Sequence, residues 1–145
     1  MSRHGLHISL ADISRIEAIA KSELPRECCG IMLGSLSGNG WVVSGIEESR
    51  NVADQDRNDR FEIDPALLLR IQKAARLGLP RMIGVYHSHP NGGAEPSQTD
   101  MATAWQTGMI WLITAVGLER IETRAYLREA AGFVPVPLQI METGS

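Results

Sequence analysis

Residues 82–100 limit most strongly what this chain can fold into. An apolar run that ends at Tyr86 leads directly into His87 and His89, which are separated by a single residue. Because side chains alternate between the two faces of a strand, both imidazoles are predicted to point to the same side. Pro90 and the Asn-Gly-Gly that follows it end the strand, since proline has no ladder donor and glycine tolerates positive φ. The pattern predicts a strand that presents two histidines beside a loop.

This loop is predicted to end at Ser97, a good helix N-cap, with Asp100 in the first turn of the following helix. From that position the carboxylate of Asp100 can reach back to His87 and His89. Two imidazole nitrogens and one carboxylate oxygen, with a fourth position open to water, are the ligand set of a catalytic zinc site. Alternatively, Asp100 is only the acidic member of a capping box and accepts from the Ser97 backbone N–H. The two roles are expected to compete for one carboxylate.

Composition argues against several classes of protein. The chain has 145 residues, 43% of them hydrophobic, and a net charge of −3 with both signs interspersed. We expect one globular domain over residues 1–145, with no basic face for nucleic acid and no signal peptide or membrane span. The two cysteines, Cys28 and Cys29, are neighbours that would point to opposite faces of a strand, so a disulfide is not expected. Free cysteines are typical of a reducing compartment, so we expect a cytoplasmic location. The sequence does not indicate the oligomeric state.

Hydrophobic periodicity predicts alternating strands and helices. The predicted strands are Leu6–Leu10, Cys28–Leu33, Trp41–Ile46, Phe61–Asp64, Met82–Tyr86, Met109–Val116 and Ile121–Leu127, with an edge or extended tail over Phe133–Ile140 that contains two prolines. One helix buries Ile13, Ile16, Ile19 and Ala20 and ends before Pro25, and a second begins at Asp64-Pro65 and buries Leu67, Leu68, Ile71, Ala74 and Ala75. Ser35–Gly40 is predicted to be a turn and Glu47–Arg60 an exposed loop. This order of elements predicts an α/β sandwich with a mixed β-sheet.

The histidine motif resembles a known signature. His87-Ser88-His89-Pro90, followed by Ser97-Gln98-Thr99-Asp100, is similar to the zinc motif of the MPN domain peptidases, also called the JAMM family. That motif includes an upstream glutamate, which Glu27 matches within Pro25-Arg26-Glu27-Cys28-Cys29-Gly30. The resemblance covers the chain from about residue 7 to about residue 127, and no catalytic position departs from it. It implies a cytidine-deaminase-like three-layer fold and one Zn²⁺ per chain, held by His87, His89 and Asp100.

Catalytic roles for Glu27 and Ser97 are implied by the same resemblance. Zinc would lower the pKa of its bound water to about 7, and Glu27 would take the proton as that water attacks an amide carbonyl. Glu27 is expected to be ionised, because an unperturbed glutamate titrates near about 4.3. Ser97 would donate to the carbonyl oxygen on which negative charge develops.

Other roles for these residues stay open in the sequence. From the residues alone, Glu27 reads as a solvated loop carboxylate and Ser97 as only an N-cap. Glu95 lies in the loop of residues 90–96, here called the glycine loop, and is a rival base or a spare ligand. Ser88 is predicted to face away from the zinc and to be structural. Phe61 either lines the substrate groove, which the family places beside the segment matching Asn51–Asp64, or belongs to the core.

The resemblance also implies a substrate. Such enzymes cleave after the C-terminal Gly-Gly of ubiquitin or of a ubiquitin-like sulfur-carrier protein, and the compact form of this chain resembles prokaryotic members that process sulfur carriers. One alternative is an isopeptidase that removes a ubiquitin-like modifier from lysines of target proteins. Another is a non-catalytic MPN scaffold that has lost the metal, against which the intact set Glu27, His87, His89 and Asp100 argues.

Overall fold

The computed structural model describes residues 5–38, 40–53, 58–103 and 106–142. Its strands are β1 Gly5–Ser9, β2 Cys29–Ser37, β3 Gly40–Ser49, β4 Arg81–His89, β5 Ile110–Val116, β6 Ile121–Glu129, β7 Gly132–Val136 and β8 Leu138–Met141. Its helices are α1 Leu10–Ser22, α2 Pro65–Arg76 and α3 Gln98–Thr103.

The strands form a single mixed sheet in the order β7-β6-β5-β4-β2-β3-β1-β8. The pairs β1–β3, β1–β8 and β4–β5 are parallel, and the remaining neighbours are antiparallel. The predicted α/β fold with a mixed sheet is confirmed. β4, which carries the histidine motif, lies at the centre between β2 and β5.

Helices cover the sheet on both faces. α1 buries Ile13, Ile16, Ile19 and Ala20, as its periodicity predicts, in a cluster that includes Tyr86 of β4. α2 packs on the other face, where Leu67 and Ile71 join Val85 and Trp111. No helix within the described ranges is long and apolar enough to span a membrane.

The two adjacent cysteines lie in different layers of the core. Cys28 belongs to the cluster under α1 and Cys29 to the cluster under α2, and both thiols are free. The prediction that they point to opposite faces and form no disulfide is confirmed.

The C-terminal tail forms both edges of the sheet. β7 pairs with β6 at one edge and β8 pairs with β1 at the other, although only Pro137 separates them in sequence. Because residues adjacent in the chain cannot lie far apart, the sheet must curl until its two edges approach each other. The prediction that the proline-rich tail lies at an edge is confirmed.

Several predicted element boundaries are wrong. β2 continues to Ser37 and β3 to Ser49, so the hairpin turn is shorter than Ser35–Gly40 and the polar residues 47–49 are strand. The predicted strand Phe61–Asp64 is reduced to one bridge between Asn51 and Ile63. In α2 only Leu67 and Ile71 are buried, and Leu68, Ala74 and Ala75 are half-buried. Local alternation cannot reveal whether a partner strand is within reach, which is why these assignments fail.

Candidate metal centre

Three buried side chains converge where β4 ends. His87 and His89, both on β4, project on the same side, and their Nε2 atoms are 3.3 Å apart. Oδ2 of Asp100, on α3, lies 3.2 Å from Nε2 of His87 and 3.0 Å from Nε2 of His89. Within the described ranges, these three residues form the one cluster of His, Cys, Asp or Glu side chains close enough to hold a metal ion.

Asp100 caps α3 and also faces the two histidines. Its Oδ2 accepts from the Ser97 backbone N–H at 2.9 Å, and Oγ of Ser97 accepts from the Asp100 backbone N–H at 3.0 Å. This reciprocal capping box fixes the carboxylate at the start of α3. The same oxygen faces the two histidines, so this geometry does not require capping and ligation to exclude each other.

Hydrogen bonding fixes the orientation of His89. Its Nδ1 lies 2.8 Å from the carbonyl oxygen of Gly93, which can only accept, so Nδ1 carries a hydrogen. In the neutral ring, Nε2 then presents a lone pair towards His87 and Asp100. Burial opposes a charge on His89, but its hydrogen bonds to Asp100 and Gly93 raise its pKa above the ordinary value. A proton and a cation therefore compete for Nε2.

Charge within the cluster suits a cation. Burial lowers the pKa of His87, which keeps its imidazole neutral at pH 7. Burial alone would raise the pKa of Asp100, but the two histidines and the Ser97 amide hold it well below the usual range, so Asp100 is a carboxylate. The neutral imidazole of His87, the Nε2 of His89 once it releases its proton, and one buried anion are donors that zinc binds.

The spacing of the donor atoms fits a zinc ion. A tetrahedral ion with ligand bonds of about 2.0–2.1 Å holds its ligand atoms about 3.3–3.4 Å apart. The three donor separations are 3.3, 3.2 and 3.0 Å. Two nitrogen lone pairs that face each other at 3.3 Å repel unless a proton or a cation lies between them. These residues therefore fit the implied metal in number, type and spacing.

Strand pairing brings Glu27 beside this cluster. Cys29 pairs with His87 in the antiparallel β2–β4 ladder, so continuing the register places Glu27 opposite His89. The ladder is extended by Ser88, whose backbone N–H donates to the Cys28 carbonyl at 3.1 Å. Glu27 is 3% exposed and lines a cavity of about 300 Å³ together with His89, Ser97 and Glu95. The structure therefore brings both predicted catalytic residues, and the rival Glu95, to one cavity.

The ionisation of Glu27 differs from the sequence expectation. Burial first, and the nearby Asp100 second, raise the pKa of Glu27 to about 8. Its Oε1 is buried with no hydrogen-bond partner in the described part of the chain. Without a cation, Glu27 is therefore not the ordinary ionised carboxylate that the sequence predicts, because sequence cannot show that this residue is enclosed. A cation nearby would favour the charged form again.

Ser88 faces away from the cluster, as predicted. It is buried, and its Oγ accepts from the Cys28 backbone N–H at 2.8 Å. The strand that carries both histidines is thereby tied to the residue that follows Glu27.

Aromatic rings form a wall behind His87. Phe61 stacks on the His87 ring with centroids 4.4 Å apart, and Trp111 meets His87 edge-on at 5.4 Å. Phe61 and Trp111 also line a cavity of about 610 Å³, together with Ile63, Leu68 and Met109. Phe61 therefore packs against a histidine and also lines a cavity. That this cavity holds the substrate stays a prediction.

Three residues that position parts of this site were not identified from sequence. Trp111 contacts His87. Tyr126 donates from its hydroxyl to the Ala94 carbonyl at 2.8 Å and so anchors the glycine loop, and Asn51 donates to the Glu27 carbonyl at 2.9 Å. All three act across long sequence separations, and no local pattern marks them. His7 lies on β1 outside the cluster, and His4 lies outside the described residues.

Similar proteins share the sequence pattern and the fold. The family model described as prokaryotic homologs of the JAB domain matches residues 10–134. A desampylase of Haloferax volcanii is 32% identical over 94 residues, which are 65% of this chain and 66% of the relative, slightly less than two thirds of its length. A Desulfitobacterium hafniense protein of known solution structure has a TM-score of 0.84 and 25% identity, and the match covers 95% of this chain and 94% of that chain. A Salinibacter ruber protein, with a TM-score of 0.66 and 23% identity over 99% and 92% of the two chains, shares the fold alone.

Proposed function

Because the chain belongs to the JAB family, whose prokaryotic model matches residues 10–134, we propose that it is a zinc-dependent peptidase or isopeptidase. Its substrate in this proposal is a ubiquitin-like or sulfur-carrier protein, cleaved after the C-terminal Gly-Gly. The resemblance to the MPN (JAMM) family that the histidine motif carries is confirmed. The observation that supports hydrolysis best is the single cavity shared by Glu27, His89 and Ser97 at the edge of the three-donor cluster.

The ligand set is His87, His89 and Asp100. When bound, zinc supplies a Lewis acid that polarises a carbonyl and lowers the pKa of water to about 7. The second carboxylate, Glu27, takes a proton from the attacking water and delivers it to the leaving amine. A carboxyl whose pKa is raised by burial and lowered by a neighbouring cation is poised between both states near neutral pH, as such a shuttle requires.

Ser97 is suited to stabilise the developing oxyanion. Its Oγ accepts from the Asp100 N–H, which leaves the hydroxyl hydrogen to be donated into the cavity that Ser97 lines. A donor of this kind is worth about 3–4 kcal/mol of transition-state stabilisation. The two alternatives for Ser97, N-cap and oxyanion donor, are therefore compatible in one hydroxyl.

The substrate assignment rests on the relatives and on the cavity behind His87. The name of the Haloferax volcanii relative, desampylase, denotes removal of a ubiquitin-like modifier, which favours an isopeptidase over a processing peptidase. Phe61 and Trp111, which contact His87, also line the apolar cavity that an extended tail would occupy in this proposal. A tail of glycines has no side chains to exclude from a narrow approach to the metal centre.

Mass spectrometry tests the function directly. Two substrates are incubated with zinc-loaded protein: a ubiquitin-like sulfur carrier extended past its Gly-Gly end by a short peptide, and the same carrier linked to a lysine side chain. We expect cleavage directly after the second glycine, and a loss of about 10²–10⁴-fold in rate for Glu27→Ala with zinc retained. Glu95→Ala, which alters another carboxylate of the same cavity, serves as the matched control and stays active.

The outcome also separates the alternatives. Preference for the lysine-linked substrate identifies an isopeptidase, and preference for the linear extension identifies a processing peptidase. If neither substrate is cleaved while one zinc per chain is bound, the proposed substrate class is wrong. If Glu95→Ala is the inactive variant, the assignment of the base is wrong. Protein purified without chelator that holds no zinc would instead support a scaffold.

A further inference from the structure

The segment that carries Phe61 is held by few backbone contacts. Beyond β3, the described backbone contacts between residues 50–53 and 60–64 are one bridge, Asn51 with Ile63, and one hydrogen bond, from the Val52 N–H to the Glu62 carbonyl at 3.0 Å. Phe61 nevertheless stacks on His87 at a centroid distance of 4.4 Å. Something other than a strand ladder must therefore fix the position of this ring.

The side chain of Asn51 supplies those contacts. Its Nδ2 donates to the Arg60 carbonyl at 3.1 Å, and its Oδ1 accepts from the Glu62 N–H at 3.0 Å. These two residues immediately precede and follow Phe61. A single amide therefore holds the backbone on both sides of the ring that covers His87.

The same amide also holds the residue proposed as the base. The second hydrogen of Nδ2 is donated to the Glu27 carbonyl at 2.9 Å, and Oδ1 also accepts from the Ala53 N–H at 3.0 Å. All four hydrogen-bonding positions of the Asn51 amide are thus occupied. Two carbonyl acceptors and two N–H donors leave no doubt which end of the amide is oxygen. Arg26 strengthens the connection, because its guanidinium donates to the carbonyls of Asn51 and Ala53.

We propose that Asn51 is a positioning residue that couples the placement of Glu27 to the placement of Phe61. This inference rests on the proposed function, since it concerns the residue assigned as the base and the wall behind a metal ligand. Asn51 itself neither binds the metal nor touches the reacting atoms. It acts because loss of its amide hydrogens frees the Glu27 backbone and the Phe61 segment together.

The test compares variants chosen to remove parts of this connection. Asn51→Asp is nearly isosteric and keeps an acceptor for Ala53 and Glu62, but it removes both donated hydrogens and sets a charge against two carbonyl oxygens. Phe61→Leu removes only the stacked ring. Ser44→Ala is the matched control, because the Ser44 hydroxyl also donates to a backbone carbonyl, that of Leu33, but at an exposed site on β3, the strand that precedes Asn51. Asn51→Ser, which keeps one donor, replaces Asn51→Asp if the latter does not fold.

Three measurements are made on each zinc-loaded variant: kcat and KM for the Gly-Gly substrate, zinc per chain, and amide hydrogen exchange by NMR. We expect Asn51→Asp to lower kcat at least about tenfold with zinc retained. We also expect it to speed exchange at Val52, whose N–H donates to the Glu62 carbonyl of the freed segment, at least about tenfold. Exchange at Leu112 in β5 is expected to stay as in the wild type, as are all properties of Ser44→Ala. Because both substitutions act through the Phe61 segment, the double variant Asn51→Asp/Phe61→Leu should lose less than the product of the single losses.

Each other outcome overturns the proposal. Wild-type kcat in Asn51→Asp, unchanged exchange at Val52, fully multiplicative losses in the double variant, or loss of zinc with activity would each contradict coupled positioning. A wild-type protein that cleaves neither substrate refutes the proposed function instead. In that case the amide exchange alone decides whether Asn51 holds the two segments.

Discussion

At the residue scale, His89 is held from both ends of its ring. Nδ1 donates to the Gly93 carbonyl, and Nε2 faces His87 and Asp100. A ligand that is preoriented in this way pays little entropy when it binds a metal, and a hydrogen bond on the distal nitrogen raises its basicity. The glycine loop is therefore part of the candidate metal centre, although none of its side chains belongs to the three-donor cluster.

Replacing His89 tests the ligand assignment. His89→Ala is expected to lose zinc and activity together, because it removes one of three donors and leaves too few to compete with water. Zinc per chain is measured by elemental mass spectrometry after gel filtration. His7→Ala, a half-buried histidine of β1 outside the cluster, is the matched control and keeps the zinc. A His89→Ala protein that still holds one zinc per chain would refute the assignment.

The raised pKa of Glu27 predicts an effect on stability. In the unfolded chain this carboxyl loses its proton near pH 4.5, whereas burial raises its pKa in the folded chain to about 8. Between these two pH values the folded state holds the proton that the unfolded state has released. The contribution of Glu27 to the free energy of unfolding therefore falls as the pH rises from 4.5, and it is lost once the pH passes about 8. Glu27→Gln removes this titration.

Denaturation in the presence of chelator measures this effect. We expect Glu27→Gln to match the wild type near pH 4.5 and to exceed its melting temperature increasingly up to pH 8, by at least about 4 °C at the end. Glu95→Gln, a substitution of an exposed carboxylate, controls for the charge change. A difference that shrinks as the pH rises would show that the pKa of Glu27 is not raised.

At the element scale, the register between β2 and β4 sets the distance between Glu27 and the histidines. Gly30 pairs with Tyr86, and the Tyr86 ring lies directly over Gly30, so a Cβ added there would come within 2.2 Å of the ring. Tyr86 is fully buried, so its ring is enclosed by other packed side chains. The contact between Gly30 and the Tyr86 ring therefore stabilises the β2–β4 register that aligns Glu27 with the two histidines.

Gly30→Ala is expected to reduce the free energy of unfolding by about 1–3 kcal/mol, because an overpacked core forces side chains off their rotamers. Gly45→Ala, on the neighbouring strand β3, is the matched control, since an added Cβ there meets nothing within 4 Å. Chemical denaturation of both variants measures the difference. Equal stability of the two would mean that the ring over Gly30 is easily displaced.

At the scale of the whole molecule, the tail closes the fold. β8 covers the outer edge of β1, and Leu138 packs against the cluster under α1. The same tail supplies β7 at the opposite edge. An uncovered edge strand invites pairing with other chains.

A chain that ends at Val136 tests this closure. Without β8 we expect the free energy of unfolding to fall by at least about 2 kcal/mol, since the Leu138 side chain is no longer buried and the β1 edge loses its partner. Self-association, measured by light scattering, should also rise. A chain that ends at Glu142 keeps β8 and is the control. Equal stability of the two chains would show that β8 is dispensable.

The sequence by itself determined much of this protein. The His-x-His strand, the Ser97 cap with Asp100, the buried stripe of α1, the separation of Cys28 from Cys29 and the edge position of the proline-rich tail all follow from short-range periodicity and turn chemistry. Each depends on residues at most thirteen positions apart, where local geometry fixes direction. Glu27 was found only through the family motif, because an isolated glutamate after a helix has no local mark of its surroundings.

The tertiary structure decided the rest. β2 and β3 are longer than predicted, and the strand predicted at Phe61–Asp64 is a single bridge. Burial raises the pKa of Glu27, and Asp100 both caps α3 and faces the histidines. The tertiary structure also brought Asn51 to Glu27 across 24 positions. Burial, strand partnership and hydrogen bonding between distant segments arise from the packing of the whole chain, and no window of sequence contains the partners that establish them.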